Sequence, residues 1–475
     1  MDVDISSRRM PVGIQDFEKL RTERCVYVDK TQYVFNLTRI SRPYFLARPR
    51  RFGKSLFLST IKAYFLGKRE LFEGLAISKS EENWIKYPVF HLDLTAETYT
   101  SLDLLYIGLD TNLRELESEW GSNVLETTPA SRLTGIIRRA YEKTGCKVVI
   151  LVDEYDKPLI NTMDDEKLNK EIREVLKGFY GVLKRSDAYL RFVFLTGVTK
   201  FSKVSVFSDL NQLIDISLDV SFAEVCGISE SELTKQFQPE IHMLAKATNK
   251  TFDQIYAEIK KRYDGYRFAK KGENMYNPFS VLNVFNSKDF GNYWFKTGTP
   301  TFLVKGLKNN NFDIRKLENN ITIPVGSIDD YRAGETNLVP LLYQSGYLTI
   351  KSYDPLFDEF TLGFPNEEVK YGFLNELLPV FTPQIIHDTF SVVRFIKSLN
   401  QSDIDCFMNQ LTAFYASIPY DAIKSAHRDE QYYQHVFCLL FTLMGQFVET
   451  EVKSSLGRAD AVVKPPIPFT FLSLN

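Results

Sequence analysis

One uninterrupted apolar run constrains the fold of this chain more than any other part of its sequence. Residues 147–152 read Lys-Val-Val-Ile-Leu-Val, and two acids, Asp153 and Glu154, follow directly. A run of aliphatic and β-branched residues is typical of a strand that is buried on both faces, as in a parallel sheet covered by helices. The run is also far shorter than the ~20 residues that a membrane-spanning helix needs. It therefore predicts an α/β fold.

Short apolar runs alternate with longer segments of helical period between Pro43 and Leu218. The predicted strands are Tyr44–Ala47, Val89–Leu94, Lys147–Val152, Leu190–Leu195 and Leu213–Ile216. The predicted helices are a short one that ends at Gly67, and Ser101–Ser118, Ala130–Lys143 and Glu166–Lys184. This alternation predicts a P-loop NTPase core with a doubly wound parallel sheet over residues 1–220.

A loop that ends in Gly-Lys-Ser joins the first predicted strand to the helix after it. Residues 48–55 read Arg-Pro-Arg-Arg-Phe-Gly-Lys-Ser, and a loop in this position is a cradle for phosphate groups. Gly53 lets backbone N–H groups approach an oxygen, Lys54 would place its ammonium on the β- and γ-phosphates, and Ser55 would coordinate Mg²⁺. The candidate nucleotide-binding residues are Arg50, Arg51, Phe52, Gly53, Lys54 and Ser55.

Two features of this loop bear on that interpretation. Arg48 stands where the usual motif has its first glycine, and the loop could instead be a basic, solvated turn in which Gly53 and Ser55 only start a helix. Four positive charges lie within residues 48–54 without an acid among them. Such a cluster repels itself unless a polyphosphate neutralises it, which favours phosphate binding.

The two acids after the apolar run form a Walker B arrangement. Ligands of open α/β sheets lie at the carboxyl ends of the strands, so we expect Asp153 and Glu154 to face the same crevice as the phosphate loop. Asp153 would hold Mg²⁺, and Glu154 would polarise the attacking water as a general base. Alternatively, both acids only cap the next helix, where Asp156 before Lys157-Pro158 already provides a cap. The phosphate loop upstream favours the catalytic interpretation.

Thr196, at the end of the strand Leu190–Leu195, is a further candidate catalytic residue. One branch of P-loop enzymes has an extra strand between the phosphate-loop strand and the Walker B strand. In that branch a polar residue at the end of the extra strand contacts the γ-phosphate or the water. Thr199 and Lys200 lie behind Thr196 as further candidates. The alternative is an ordinary strand end with a threonine-rich turn.

Composition excludes several classes of protein. The 475 residues carry 58 Lys+Arg against 60 Asp+Glu, a formal charge of −2, so no overall charge indicates nucleic acid or an anionic membrane as a partner. The five cysteines are scattered without a Cys-x-x-Cys pair, which argues against a disulfide framework and a zinc ribbon. The first residues lack the apolar segment of a secretory leader. We therefore expect a cytoplasmic protein without a membrane segment.

Several short motifs together resemble the predicted AAA-ATPase-like family of bacterial proteins that carry a C-terminal PD-(D/E)XK nuclease-like module. They are Gly13–Phe17, Tyr27–Thr31, Arg48–Ser55, Asp153–Pro158, Tyr263–Phe268 and Tyr276–Ser280. The resemblance covers most of the chain and implies an ATP- and Mg²⁺-binding core in which an arginine at position 48 is normal. For the other motifs we favour structural roles: Asp29 caps a helix, Asn277 starts one and Gly265 closes one.

Helical periodicity predominates after residue 220. Residues 221–300 are expected to form a helical lid, 301–365 an irregular connecting region, and 366–475 an incomplete α/β restriction-endonuclease-like module of PD-(D/E)XK type. The predicted helices are Glu230–Gln236, Glu240–Ala247, Phe252–Arg262, Val369–Leu378, Ser391–Tyr415 and Asp429–Met444, and the predicted strands lie near Val448–Lys453 and Ala459–Val463.

The nuclease-like module departs from the pattern of the family it resembles. In those modules an Asp on one strand and a Glu-x-Lys pair on the next bind Mg²⁺ and position the attacking water. Asp460 matches the first acid, but no Glu-x-Lys pair follows Lys464. The module looks truncated, and we expect it not to cleave DNA or RNA.

The leading functional hypothesis is an ATPase that couples ATP binding or hydrolysis to conformational change, with ATP and Mg²⁺ as cofactors. One alternative is a nucleotide-bound switch or scaffold with negligible turnover. Another is an ATP-dependent nuclease that processes nucleic acids. The expected partners are ATP, nucleic acid through the C-terminal module, and further copies of the chain.

Overall fold

The chain divides into two compact units, Met1–Trp294 with Thr322–Asn366, and Phe295–Ile321 with Glu367–Asn475. The structure is a computed structural model. It describes residues 8–200, 206–207, 210, 212–295, 303, 307, 317, 320–329, 337–381, 395, 398, 401, 403–416, 436–437, 439–441, 447–454, 457–464 and 473–474.

A five-stranded, all-parallel sheet forms the centre of the first unit. Its strands are β1 (Pro43–Ala47), β2 (Val89–Asp93), β3 (Val148–Asp153), β4 (Leu190–Gly197) and β5 (Ile214–Asp215). They lie in the order β2-β3-β4-β1-β5, so β4 separates β1 from β3. All six residues of β3 are buried, as expected for a strand covered on both faces. The parallel α/β core predicted from the sequence is confirmed.

Several helices of this core begin or end at residues that favour helix termini. They are α1 (Phe17–Thr22), α2 (Thr31–Thr38), α3 (Lys54–Phe65), α4 (Leu102–Trp120), α5 (Pro129–Thr144), α6 (Lys157–Asn161) and α7 (Glu166–Arg185). Ser101 and Thr128 cap α4 and α5 with their hydroxyls, and Gly145 ends α5 in the left-handed conformation. Ile172, Leu176, Phe179 and Leu183 recur at helical spacing along the buried face of α7.

Residues 228–287 form a helical segment with a hydrophobic core of their own. Its elements are β6 (Ile228–Ser229), α8 (Glu230–Gln236), α9 (Gln238–Thr248), α10 (Phe252–Tyr263), β7 (Met275–Tyr276) and α11 (Pro278–Ser287). Leu233, Phe237, Ile241 and Ile259 are among the fully buried residues of this core. The three helices predicted here from periodicity are confirmed.

Residues 321–363 are more regular than the sequence suggests. They contain β8 (Ile321–Pro324), α12 (Val339–Gln344), β9 (Thr349–Asp354) and β10 (Glu359–Gly363), and the three strands form a sheet in the order β8-β10-β9. The described part of the expected irregular region 301–365 is therefore largely folded. Pro340 lies in the first turn of α12, where the missing N–H of proline has no cost.

The second unit contains α13 (Glu367–Phe381), α14 (Ile404–Ala416), β11 (Phe447–Ser454), β12 (Gly457–Lys464) and β13 (Ser473–Leu474). The three strands are antiparallel in the order β11-β12-β13, and Asp460 lies on β12. The predicted helix Val369–Leu378 and both predicted strands are confirmed, whereas most of the predicted helix Asp429–Met444 lies outside the described residues.

Among the helices that the structure describes, none combines the length and the apolar character needed to cross a membrane.

Substitution of Gly265 tests the packing of the turn that follows α10. Gly265 has φ 104° and a Cβ there would overlap the carbonyl of Pro365. Gly145 also has a positive φ, 66°, but its Cβ would meet open space. We expect Gly145→Ala to cost about 1 kcal/mol of unfolding free energy from backbone strain alone, and Gly265→Ala to cost more. Urea unfolding of both variants measures the difference, and equal costs would contradict the close approach of Pro365.

Candidate functional site

The carboxyl ends of the central strands bring three polar residues into one row. Asp93 at the end of β2 pairs in register with Asp153 at the end of β3. Thr196 near the end of β4 lies on the other side of Asp153, and its hydroxyl donates to Asp153 Oδ1 at 2.5 Å. The sequence predicted Thr196 as a residue that contacts the γ-phosphate or the water, and in the structure its hydroxyl is in direct contact with Asp153. Asp93 was not predicted, because only the register of β2 against β3 places it here.

The phosphate loop, residues 48–53, runs from β1 into the first turn of α3. Gly53 precedes α3 with φ 95°, and no side chain caps the first N–H groups of this 12-residue helix. Uncapped N–H groups at a helix N-terminus carry partial positive charge and bind anions. Arg51 also has a positive φ, 64°, so the loop turns sharply at two positions. Its geometry is that of an anion cradle.

Lys54 lies across its own loop. Its ammonium donates to the carbonyls of Arg48 at 2.9 Å and Pro49 at 3.1 Å, and the residue is 5% exposed. Burial lowers the pKa of Lys54, and the charges of Glu154, Asp153 and Asp156 oppose that shift. The ammonium is therefore held at its own loop, and the acids at the end of β3 and directly after it favour its charged form.

The two neighbouring acids Asp153, the last residue of β3, and Glu154 have different environments. Asp153 is buried and its Oδ1 accepts hydrogen bonds from the Thr196 hydroxyl and, at 3.1 Å, from the Glu154 N–H. Glu154 is only half-buried and has φ 48°, the left-handed region that residues other than glycine rarely adopt. Asp153 is thus a fixed carboxylate, and Glu154 is a more accessible carboxylate on a strained backbone.

Thr199 and Lys200 do not join Thr196 in the row of polar strand ends. The Thr199 hydroxyl donates to Asp156 at 2.6 Å. Lys200 forms a buried ion pair with Asp215, with 3.1 Å between Nζ and Oδ2. Both side chains support the loop after β4, so Thr196 is the residue of the three that the structure places at Asp153.

Arg48 lies behind the phosphate loop and not in its mouth. The residue is 1% exposed, and its guanidinium donates to the carbonyls of Ala47 at 2.9 Å, Ser217 at 2.8 Å and Phe222 at 3.0 Å. The guanidinium carbon lies 4.3 Å from the centre of the Phe268 ring, a cation–π contact. The sequence predicts that the charge of Arg48 helps to bind a polyphosphate. In the structure, the three carbonyls and the Phe268 ring already accommodate this charge.

Aromatic residues from two of the sequence motifs cover the phosphate loop. Phe52 is buried edge-on against Tyr266 and Phe268, with ring centres 4.7 and 5.2 Å apart. The guanidinium of Arg51 lies 5.1 Å from the centre of the Phe279 ring. The motifs Tyr263–Phe268 and Tyr276–Ser280 therefore support the loop directly, a role that their one-dimensional pattern does not indicate.

A later part of the first unit also holds this loop. The indole N–H of Trp294 donates to the Arg50 carbonyl at 3.0 Å. Gly346 has φ 92°, and a Cβ there would lie 2.6 Å from Cβ of Pro49. The close approach of position 346 thus requires glycine on both steric and conformational grounds.

The predicted cap at Asn277 is confirmed, whereas the N-cap of α2 is Lys30 and Asp29, one residue earlier, binds the first N–H of that helix. Asp29 Oδ1 accepts from the N–H and hydroxyl of Thr31 at the start of α2. Asn277 Oδ1 accepts from the Ser280 N–H at 3.0 Å in the first turn of α11. Both motif residues accept hydrogen bonds from the first turn of a helix.

Asp156 does not form the cap that the sequence predicts. It precedes α6, but its side chain makes no capping hydrogen bond to that helix. Its Oδ2 instead accepts from the N–H groups of Val198 and Thr199 and from the Thr199 hydroxyl. Competition from donors in the loop after β4, which are distant in sequence, overrides the local capping preference.

An apolar cavity of about 90 Å³ adjoins the start of α3. Phe52 and Gly53 form one side of it, so it opens beside the phosphate loop. Its walls are mostly aliphatic side chains from the N-terminal segment, from α3, from the residues before α8 and from α11: Val26, Val28, Leu56, Val225, Ile228 and Leu282.

Comparisons with known proteins give a family match for the N-terminal part of the chain and a similar protein over most of its length. The model of a family described as predicted AAA-ATPase matches residues 11–207, which include the phosphate loop and strands β1 to β4. A protein of Azotobacter chroococcum mcd 1, named "Uncharacterized protein in vnfD 5'region", is 35% identical over 464 residues, 97% of this chain and 87% of that protein. No solved structure matches the chain significantly.

Replacing Arg48 with the glycine of the usual motif tests the role of its guanidinium. We expect Arg48→Gly to lower the free energy of unfolding by at least ~3 kcal/mol, because three buried carbonyls lose a charged donor. The control is Arg51→Gly, at an exposed residue with a positive φ, which we expect to change stability by less than about 1 kcal/mol. Thermal or urea unfolding decides, and an Arg48→Gly variant as stable as the control would contradict the structural role.

Proposed function

Residues 11–207 belong to the predicted AAA-ATPase family, and we propose that the chain binds ATP with Mg²⁺ at the phosphate loop and hydrolyses it with release of the γ-phosphate. The observation that carries the proposal is the shared sheet edge: an uncapped helix N-terminus with Lys54 lies opposite Asp153, Glu154 and Thr196. Phosphoryl transfer requires N–H groups that hold the phosphates, a cation beside them, and carboxylates that bind Mg²⁺ and activate water.

The phosphate-binding part of the proposal rests on α3 and its loop. N–H groups around Gly53 would donate to phosphate oxygens. Lys54 would exchange the carbonyls that it now contacts for the β- and γ-phosphates, since an ammonium interacts more strongly with an anion than with a neutral carbonyl. Arg50 and Arg51, which are more exposed than Arg48, would add positive charge at the rim.

Ser55 and Asp153 are the residues that would hold Mg²⁺. Both offer oxygen donors, which this ion prefers, and it commonly uses one or two protein ligands together with phosphate and water. The bond from Thr196 leaves Asp153 Oδ2 for such a role. A bound ion would supply charge neutralisation at the phosphates.

Glu154 is the proposed general base. It is the more accessible of the two acids, as a residue that exchanges a proton with water must be. Thr196 would act in catalysis by keeping the Asp153 carboxylate in one orientation, through the 2.5 Å hydrogen bond, in addition to any contact with the γ-phosphate. Both roles require the phosphates to lie at the carboxyl end of β3.

The apolar cavity beside Gly53 is the proposed position of the adenine base. Its walls between Val26, Leu56 and Leu282 match the flat, weakly polar faces of a purine. Residues 221–300 would then be the lid, because α11 supplies one wall of the cavity, and nucleotide binding would be coupled to movement of this helical segment.

We also propose that the second unit is the PD-(D/E)XK nuclease-like module that the sequence resembles. Supporting features are the antiparallel pair β11 and β12 and the place of Asp460 on the second strand of that pair. Contact with nucleic acid and assembly of several copies are further parts of this proposal.

Lys54→Ala tests the phosphate-binding role. We expect it to abolish measurable ATP binding, because it removes the cation placed at the mouth of the loop. Lys62→Ala, two turns further along α3, is the matched control and should bind like the wild type. Isothermal titration with ATP and Mg²⁺ measures both affinities. A folded Lys54→Ala protein of wild-type affinity would refute the assignment of the phosphate loop.

Glu154→Gln separates catalysis from binding. We expect bound ATP but a turnover lower by about two orders of magnitude or more, the scale of a lost general base. Asp153→Asn should instead weaken the Mg²⁺-dependent part of the affinity, and Glu171→Gln on the exposed face of α7 should change neither. Phosphate release and ATP titration with and without Mg²⁺ are the measurements, and wild-type turnover by Glu154→Gln would exclude Glu154 as the base.

A further inference from the structure

Asp156 is a fully buried acid for which the proposed mechanism has no role. Its side chain is 0% exposed, and burial raises its pKa. Oδ2 accepts three hydrogen bonds: from the N–H groups of Val198 at 3.0 Å and Thr199 at 2.6 Å, and from the Thr199 hydroxyl at 2.6 Å. Oδ1 accepts none from the part of the chain that the structure describes. The carboxylate therefore joins the turn after β3 to the loop after β4.

Tyr155 joins the same two segments. Its N–H donates to the Thr196 carbonyl at 3.0 Å, and its hydroxyl donates to the Thr199 carbonyl, also at 3.0 Å. Gly197 permits this close packing, because a Cβ there would lie 2.6 Å from the Tyr155 ring and 2.8 Å from Asp156 Oδ1. Real Cβ atoms do not approach other atoms so closely, so the packing depends on the absence of a side chain at position 197.

The backbone of Glu154 depends on these anchors. A non-glycine residue at φ 48° is strained by about 1–3 kcal/mol, and such a conformation persists where the surrounding structure fixes the chain on both sides. On the amino side, the Glu154 N–H donates to Asp153 Oδ1. On the carboxyl side, Tyr155 and Asp156 are held by the loop after β4. Without Asp156, this second anchor loses three hydrogen bonds.

We infer that Asp156 is a positioning residue for ATP hydrolysis, an inference that rests on the proposed function. It keeps Glu154 in the left-handed conformation and holds the segment Thr196–Thr199 against it, so that the base, Asp153 and Thr196 retain one relative placement. Being fully buried, Asp156 acts through these residues and does not touch the nucleotide. Its described hydrogen bonds go to the loop after β4, and among the three acids that favour the charged form of Lys54 it has the smallest effect, after Glu154 and Asp153. ATP affinity should therefore depend on Asp156 much less than kcat does.

Asp156→Ala and Asp156→Asn test this inference. We expect Asp156→Ala to lower kcat by about 10- to 100-fold, the scale of a misplaced catalytic group, with the Kd for ATP and Mg²⁺ within about twofold of the wild type. Asp156→Asn keeps an oxygen that can accept the same N–H groups, so we expect kcat within about threefold of the wild type. If Asp156 had only a structural role, Asp156→Ala would lower Tm without lowering kcat at unchanged Kd. Asp156→Asn would then have no loss of kcat to restore.

Two substitutions on the facing loop give an independent test if Asp156→Ala does not fold. Thr199→Val removes one of the three donors and should lower kcat, whereas Thr199→Ser retains the hydroxyl and should restore it. In Gly197→Ala the added Cβ would overlap the Tyr155 ring and Asp156 Oδ1 and displace both residues. We expect this variant to have a lower kcat and an unchanged ATP affinity.

The outcomes distinguish this inference from the proposed function. If the wild type hydrolyses ATP and the folded Asp156→Ala protein, or Thr199→Val in its place, has the same kcat, the inference is wrong and the proposed function stands. If the variants lose ATP affinity together with kcat, Asp156 is not a positioning residue. A wild-type chain that neither binds nor hydrolyses ATP overturns the proposed function, and this inference with it.

Discussion

The buried guanidinium of Arg48 is the interaction on which the rest of the site depends. One side chain joins the end of β1, the segments at Ser217 and Phe222, and the ring of Phe268. Burying a charge is costly unless hydrogen bonds and a polarisable surface replace water, and here three carbonyls and an aromatic face do so. A glycine at this position could make none of these contacts. The phosphate loop is therefore held from behind by a side chain, with Phe52 and Trp294 contacts completing its support.

Charges of opposite sign lie at the carboxyl ends of the central strands. Lys54 lies across the phosphate loop, and Asp153 and Glu154 face it from the end of β3. Burial alone would favour a neutral lysine, and the acids counter this by favouring the charged ammonium. The same edge contains the bonds from Asp156 to the loop after β4, so the residues that would bind phosphate and those that would activate water are fixed by separate sets of contacts. This separation is why binding and turnover are expected to respond to different substitutions.

Much of the core could be predicted because its signals are local. The apolar run that forms β3 and the Gly-Lys-Ser loop before α3 can each be recognised from fewer than ten consecutive residues. Both lie where the sequence predicts them. The role of Arg48 and the true partners of Asp156 could not be predicted. Both depend on donors or acceptors more than 40 residues away in sequence, and Asp93 reaches the site only through strand register. Local rules likewise predicted an irregular region over residues 301–365, although Val339–Gln344 form a helix there.

We propose that one sheet edge combines a phosphate cradle with carboxylates that act on the bound nucleotide. Steady-state phosphate release by the purified wild-type chain, measured over a range of ATP concentrations with Mg²⁺ and again with excess EDTA, tests it most directly. We expect phosphate release that saturates with ATP concentration and is lost in EDTA, because Mg²⁺ would neutralise the phosphates during phosphoryl transfer. No release above background, or release that is unchanged by EDTA, would contradict it.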